Sequence, residues 1–217
     1  MVDRRKIKYL AHAAFLITSD SGVRIVTDPY TAGGGIKHGE IKETADVVTV
    51  SHEHGDHNNV GAVKGNPQVL RESGTVGGIK FKAVPAAHDD RGGSQRGKNT
   101  IFCFGVDGVN VCHCGDLGHE LSAEQVKAIG GVDVLMIPVG GFFTIDAKIA
   151  TKIGEQIKPK VIIPMHYKTE KLDFPIAGAD EFTRGKSNVT HVNGSEIELK
   201  TGKMPTATQI MLLKPSL

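Results

Sequence analysis

The segment Ser51-His52-Glu53-His54-Gly55-Asp56-His57 gathers three imidazoles and a carboxylate in the pattern H-x-H-x-D-H, in a chain with only ten histidines among 217 residues. Imidazole is the commonest metal-binding side chain, and a carboxylate beside it suits a hard or borderline divalent cation. The preceding residues 45–51 (ADVVTVS) form a β-branched apolar run that predicts a short buried strand. Gly55 permits a sharp turn just past its end. Alternation along an extended backbone sends His52 and His54 to one side, so both are expected to reach one ion. Asp56 and His57 are adjacent and are expected to serve a second ion next to it, with Glu53 pointing away. The competing interpretation is a solvated polar turn with no ligand.

One such segment cannot complete two metal sites, so further ligands must come from elsewhere. The run at 79–84 alternates like a half-buried strand and leads to His88. The apolar run at 109–114 leads to Gly115-Asp116, and the run at 161–165 leads to His166. Taken singly, each is an ordinary loop residue. Together they repeat one arrangement, in which a strand delivers a polar side chain to a common rim.

At this point the sequence resembles the metallo-β-lactamase-fold hydrolases, most closely the small single-domain ascorbate-6-phosphate-lactonase-like branch. The resemblance begins with Tyr9-Leu10-Ala11-His12-Ala13 and Thr27-Asp28-Pro29-Tyr30 and continues through the His52 to His57 motif, His88 and Arg96-Gly97-Lys98-Asn99-Thr100. It runs on through Gly115-Asp116-Leu117-Gly118-His119, Asp133-Val134-Leu135, Pro138-Val139-Gly140-Gly141 and Pro164-Met165-His166-Tyr167. It implies a mixed α/β fold, the four-layer αββα sandwich. It implies that His52, His54 and His88 hold a first metal, that Asp56, His57 and His166 hold a second, and that Asp116 bridges the two. Asp28 matches the family's early aspartate, which supports the ligand loop. Oxygen-reducing diiron relatives carry a carboxylate where His54 stands, so the resemblance favours hydrolysis over redox chemistry. Two divalent ions are expected, zinc by default, with manganese or iron as alternatives because N/O ligand sets bind several first-row metals. Such a pair activates a water as hydroxide and stabilises the developing oxyanion, with Asp116 orienting the hydroxide and Asp56 and Asp116 as the catalytic carboxylates. No G-x-S-x-G elbow argues for a serine nucleophile.

Substrate contacts are expected from His12, Arg96, Gly141 and Tyr167. The polar, glycine-rich stretch 89–98 after His88 is a candidate lid, and its Arg91, Arg96 and Lys98 suit an anionic substrate. The glycines of Gly140-Gly141-Phe142-Phe143-Thr144 allow close backbone approach, and its aromatics suit an apolar pocket wall. His113 and His119 flank Asp116 without matching a ligand position, and His38 and His191 read as surface histidines. Cys112 and Cys114 read as buried thiols and not as ligands.

The length suits one domain spanning 1–217. A formal net charge of +2, with no long Lys/Arg run, gives no reason to expect nucleic acid. Three cysteines give no disulfide framework. The charged start Asp3-Arg4-Arg5-Lys6 and the apolar residues after it superficially resemble a signal peptide, but His12 breaks the run and a turn at 19–22 follows. Residues 9–17 and 23–27 therefore read as the first two strands, a hairpin, and no stretch approaches the roughly 20 apolar residues of a membrane span. A cytoplasmic protein acting on a small molecule is expected, with a homo-oligomer left open. Helices are expected over 122–129, with Ser122 and Gln125 as a capping box, over 146–157 with an Ile149–Ile153–Ile157 stripe, and briefly after Ala179, followed by strand-like alternation from 189 to 213. Two other functions compete with the small-substrate hydrolase: a phosphodiesterase or nuclease of the same fold, and a non-catalytic metal-binding sensor.

Overall fold

The computed structural model describes residues 6–198, 202 and 204–217. The charged residues 3–5, and positions 199–201 and 203 of the expected C-terminal strand region, lie outside the described residues. In chain order the strands are β1 (Lys6–Ala11), β2 (Ala14–Thr18), β3 (Arg24–Thr27), β4 (Val47–Thr49), β5 (Gln68–Leu70), β6 (Gly74–Val76), β7 (Ile79–Ala87), β8 (Lys98–Val106), β9 (Val109–His113), β10 (Val134–Pro138), β11 (Val161–Met165), β12 (Val189–His191), β13 (Glu196–Glu198) and β14 (Gln209–Leu212). They form a six-stranded sheet, β13-β1-β2-β3-β4-β5, and an eight-stranded sheet, β12-β14-β11-β10-β9-β8-β7-β6.

Side-chain alternation explains how the first sheet is buried on both faces. Ile7, Tyr9, Phe15, Ile17 and Ile25 join the core shared with the second sheet. Leu10, Leu16, Val26 and Val48 point the other way and pack under loops carrying Tyr30, Ile36, Ile41 and Leu172. The outer cover of this sheet is thus made of loops and one 3-10 turn, Val60–Ala62, among the described residues. In the second sheet β10 and β11 are parallel and buried at every position, the continuous apolar run of a strand covered on both faces.

Helices α1 (Ala123–Ile129), α2 (Ala147–Ile157) and α3 (Ala179–Thr183) belong to this half of the chain, with α1 against β7 and α2 against β10. The capping box is present: the Ser122 side chain accepts from Gln125 N–H, and the Gln125 side chain accepts from Ser122 N–H. On α2 the fully buried residues are Ala150, Ile153 and Gly154, while Ile149 and Ile157 are only half-buried. Small residues let this helix sit close to the sheet, since a Cβ on Gly154 would stand 2.9 Å from Ile162 Cδ1. No described helix is long and apolar enough to cross a membrane.

One expected strand is in fact two. The chain reverses at His12-Ala13, with His12 at φ 57°, and returns as β2 antiparallel to β1. The His12 carbonyl is held there by the Tyr9 hydroxyl (3.0 Å) and the His166 N–H (2.9 Å). The polar residue that interrupts the apolar run is therefore the turn itself. The ends of β1, β3 and β4 in one sheet, and of β7, β9 and β11 in the other, deliver His12, Asp28, the His52 to His57 loop, His88, Asp116 and His166 to one edge of the sandwich.

Gly118 locks the two loops of the second sheet together. Its N–H donates to Ala87 O (2.9 Å), and a Cβ there would lie 2.2 Å from Asp89 N and 2.3 Å from His88 C. Backbone cannot yield cheaply, so Gly118→Ala is expected to cost about 2–4 kcal/mol and to displace His88. Urea unfolding together with metal content checks both effects, and an unchanged variant would refute the locking role.

Candidate metal centre

Asp116 lies at the centre of the site. Its Oδ2 is 3.2 Å from His57 Nε2, 3.3 Å from both His88 Nε2 and His166 Nε2, and 3.9 Å from His52 Nε2. Asn99 anchors this loop: its side chain accepts from Asp116 N–H (2.9 Å) and donates to Cys114 O (2.9 Å). Around Asp116 the donor atoms fall into groups whose members lie within 4.8 Å of one another: His52, His54 and His88 form one, and Asp56, His57, His166 and His12 form another. His52 and His54 approach to 4.7 Å between ring centroids, but not by strand alternation. β4 ends at Thr49, and the segment winds into a turn closed by His57 N–H donating to His54 O (2.9 Å). Glu53 faces away and pairs with Arg71 (2.6 Å).

The buried Asp28 fixes this turn. It accepts from Ser51 N–H (2.8 Å), from the Ser51 hydroxyl (2.5 Å) and from His57 Nδ1 (3.0 Å). Because the Ser51 proton goes to Asp28, His52 Nδ1–H is the donor in its 2.9 Å contact with Ser51 Oγ. Both histidines thus keep their Nδ1 protons, and their Nε2 atoms are turned into the site. A carboxylate behind a ligating histidine is the usual way to fix ring orientation and tautomer.

The electrostatics favour a cation. Burial, reinforced by His166, lowers the His12 imidazole from 6.5 to about 3, and burial together with His57 lowers His52 to about 4. These rings are neutral at neutral pH, the form that binds metal. Burial would raise the Asp116 carboxyl, but His166 and His57 hold it well below the ordinary carboxylate range. Buried His52 Nε2, His57 Nε2 and Asp116 Oδ1 have no hydrogen-bond partner. Burial would lower His57, but Asp116 and Asp28 raise it well above 6.5, so without metal this ring holds a proton that a cation would displace. That proton and the unsatisfied His52 Nε2 beside a buried carboxylate are what a divalent cation compensates. The residues present therefore fit a metal.

His12 belongs to this cluster and does not line the cavity beside it. Its Nε2 lies 3.1 Å from Asp56 Oδ2, and its ring packs 4.2 Å from that of His166. Arg96 does reach the cavity, a space of about 550 Å³ that opens onto His54, Asp56, His88, Asp116 and His166. Two more expected substrate contacts are corrected. Tyr167 is turned into the core, where its hydroxyl donates to Leu213 O (3.2 Å), because the left-handed turn at His166 (φ 49°) directs the next side chain inward. Gly141 spends its N–H on Ile145 O (3.2 Å) and does not line the cavity. The close approach falls at Gly140, where a Cβ would lie 2.3 Å from His166 O.

Three further histidines are structural, while His191 is exposed at the surface as expected. His113 donates from Nε2 to Ala13 O (2.8 Å) and accepts Gly115 N–H at Nδ1. His119 accepts Ala87 N–H and contacts Glu120 O. His38, expected at the surface, is buried between Thr169 Oγ1 and Leu217 O. The 89–98 stretch is no open lid: Asp89 accepts four backbone N–H bonds, from Arg91, Gly93, Gln95 and Arg96, which wind the segment into a fixed wall.

Two facing sheets with a histidine–aspartate cluster at their shared edge define a metal-dependent hydrolase of the metallo-beta-lactamase superfamily. A family described as the beta-lactamase superfamily domain matches residues 6–166. A UPF0173 metal-dependent hydrolase of Carboxydothermus hydrogenoformans is 34% identical over 210 residues, covering 81% of this chain and 88% of that protein. A Thermotoga maritima protein, described as a Zn-dependent hydrolase of the metallo-beta-lactamase superfamily, has a crystal structure that superposes with a TM-score of 0.79 at 39% identity, covering 96% of this chain and 97% of that one. A metallo hydrolase of Ignicoccus hospitalis gives a TM-score of 0.63 at 25% identity, covering 83% and 89%. The chain belongs to the beta-lactamase superfamily domain family, among the UPF0173 metal-dependent hydrolases.

Two measurements probe the support around the ligands. Asp28→Asn replaces an acceptor of three bonds with an amide and should weaken metal affinity about 10- to 100-fold, read by competition with a chromogenic chelator; unchanged affinity would contradict the role given to Asp28. In metal-free protein, His12 and His52 have folded pKa values below the unfolded 6.5, so the unfolded chain takes up more protons as pH falls. Their contribution is intact above 6.5 and is lost as pH drops towards their folded values, at up to about 1.4 kcal/mol per pH unit per group. The urea midpoint should fall from pH 7 to pH 5, and fall less in His12→Gln; an equal fall would contradict this account.

Proposed function

We propose that the protein is a binuclear hydrolase of a small anionic ester, lactone or phosphate ester. His52, His54 and His88 would hold one ion, and Asp56, His57 and His166 the other, with Asp116 between them. Zinc suits this all-N/O set, and manganese or iron are the alternatives. The observation that carries the reading is the Asp116 carboxylate ringed by four imidazole nitrogens, with both histidine groups within its reach. When bound, the two cations lower the pKa of a shared water towards neutrality and offset the negative charge that develops at the reacting centre.

The chain's own residues supply orientation and proton handling. Asp116 Oδ1, buried and without a partner, would hold the proton of the attacking water. His12 donates to Asp56 Oδ2 (3.1 Å) and so directs the other Asp56 oxygen. Arg96 at the cavity wall meets the substrate's negative charge. Three free cysteines, two of them buried, support a reducing, cytoplasmic setting.

The test is elemental analysis of the purified protein, combined with hydrolysis of a phosphodiester, a phosphomonoester, a lactone and a thioester with and without chelator. About two metals per chain and chelator-sensitive turnover are expected. Asp116→Asn should lower kcat by about a thousandfold or more, and Asp56→Ala should lose one metal and keep the other. Full metal loading with no turnover on any substrate would favour a binding protein, and preference for the phosphodiester would favour a nuclease.

A further inference from the structure

The cleft at the metal centre has two chemically different flanks. On one side Phe143, Phe174 and Ile36 form the wall of the 550 Å³ cavity. Phe143 and Phe174 meet edge-on with centroids 5.8 Å apart. Phe142 packs edge-on against Phe143 at 4.7 Å and is 63% exposed. Phe142 also sits at φ 59°, a conformation costing a bulky residue about 1–2 kcal/mol. Strain of this kind concentrates at ligand clamps.

On the other side, past His52 and His54, lies a second cavity of about 430 Å³ lined by Arg71, Arg96 and Lys98. Arg71 is committed to Glu53 and Asn58. Arg96 borders both cavities, and its guanidinium lies 5.6 Å from the Phe143 ring centroid. Among the described residues no carboxylate pairs with Arg96 or Lys98, although the Arg96 backbone is pinned by its 2.7 Å bond to Asp89. A half-buried guanidinium with a fixed backbone and no acceptor is prepared for an incoming anion.

We propose that the cleft takes an amphiphilic anion: an ester whose scissile bond lies over Asp116, with an apolar chain or ring against Phe143 and Phe174 and a carboxylate or phosphate on Arg96. This rests on the hydrolase reading and narrows its substrate class. Hydrolysis breaks the acyl C–O bond and adds one water: the hydroxyl goes to the acyl carbon and the proton to the leaving oxygen, giving an apolar acid and an anionic alcohol.

Four esters test it on the metal-loaded protein: phenyl acetate, phenyl hexanoate, and the acetyl and hexanoyl esters of 4-hydroxybenzoate. The hexanoyl chain and the carboxylate should each raise kcat/KM about tenfold or more, so the ester with both is the best substrate. Phe143→Leu should reduce the chain-length effect more than the charge effect, and Arg96→Gln the charge effect more than the chain-length effect, with some coupling because the two side chains touch. A 4-hydroxyphenyl phosphate ester shows whether phosphate or carboxylate is the preferred anion. Equal kcat/KM across the four esters would overturn the proposal while leaving the hydrolase reading intact. Absence of turnover on all of them would count against that reading, and the less reactive amides 4-hexanamidobenzoate, 4-acetamidobenzoate and hexananilide would then decide the cleft by calorimetry. Tightest binding of the first supports the proposal, and equal binding of all three overturns it.

Discussion

The buried Asp28 carboxylate is the constraint on which the centre depends. Taking an ionised carboxylate out of water costs several kcal/mol unless hydrogen bonds replace its hydration. Asp28 recovers this through three donors, two from Ser51 and one from an imidazole: Ser51 N–H, Ser51 O–H and His57 Nδ1–H. Charge-assisted bonds of this type contribute about 1.5–3 kcal/mol each. The same three bonds close the turn after β4, set two tautomers and aim two Nε2 atoms at Asp116. One buried acid at the end of β3 thus converts an exposed, polar sequence motif into a rigid half-site.

Backbone strain is concentrated at the same edge. His12, Asp28 and His166 are non-glycine residues at positive φ (57°, 38° and 49°), and each follows a strand directly. Such conformations cost of order 1–3 kcal/mol apiece. They persist because the strands behind them are fixed: β1, β3 and β11 are paired on both sides. Asn66, Asp107 and Lys158 share the conformation, but these are loop, turn and helix-cap positions, where the strain does no comparable work. The sandwich acts as a stiff frame that holds its polar residues in positions they would not choose.

The sequence disclosed the elements whose signal is local. Apolar runs announced β4, β7, β9, β10 and β11, and each of the proposed ligands lies just past such a run, which pointed to a common rim. The grouping of the ligands came from the family resemblance, and the alternation expected for His52 and His54 gave way to a turn. The capping box at Ser122 is equally local. What escaped depended on contacts far apart in the chain. His38 looks like a surface residue until Thr169 and Leu217 are brought to it. The reversal at His12 is held by His166, and the inward turn of Tyr167 follows from the backbone at His166. The role of Asp89 needs four amides of its own loop to fold back on it, a pattern with no periodic signature.

X-ray absorption at the metal edge of the fully loaded protein tests the central claim most directly, because it sees the ions and not their consequences. Two bridged ions should give about two metals per chain, nitrogen and oxygen neighbours only, and a metal–metal scattering path at about 3.5–4 Å. A single metal per chain with light-atom neighbours and no metal–metal path would contradict that claim, since Asp116 would then serve one ion and half of the histidine cluster would be left without a purpose.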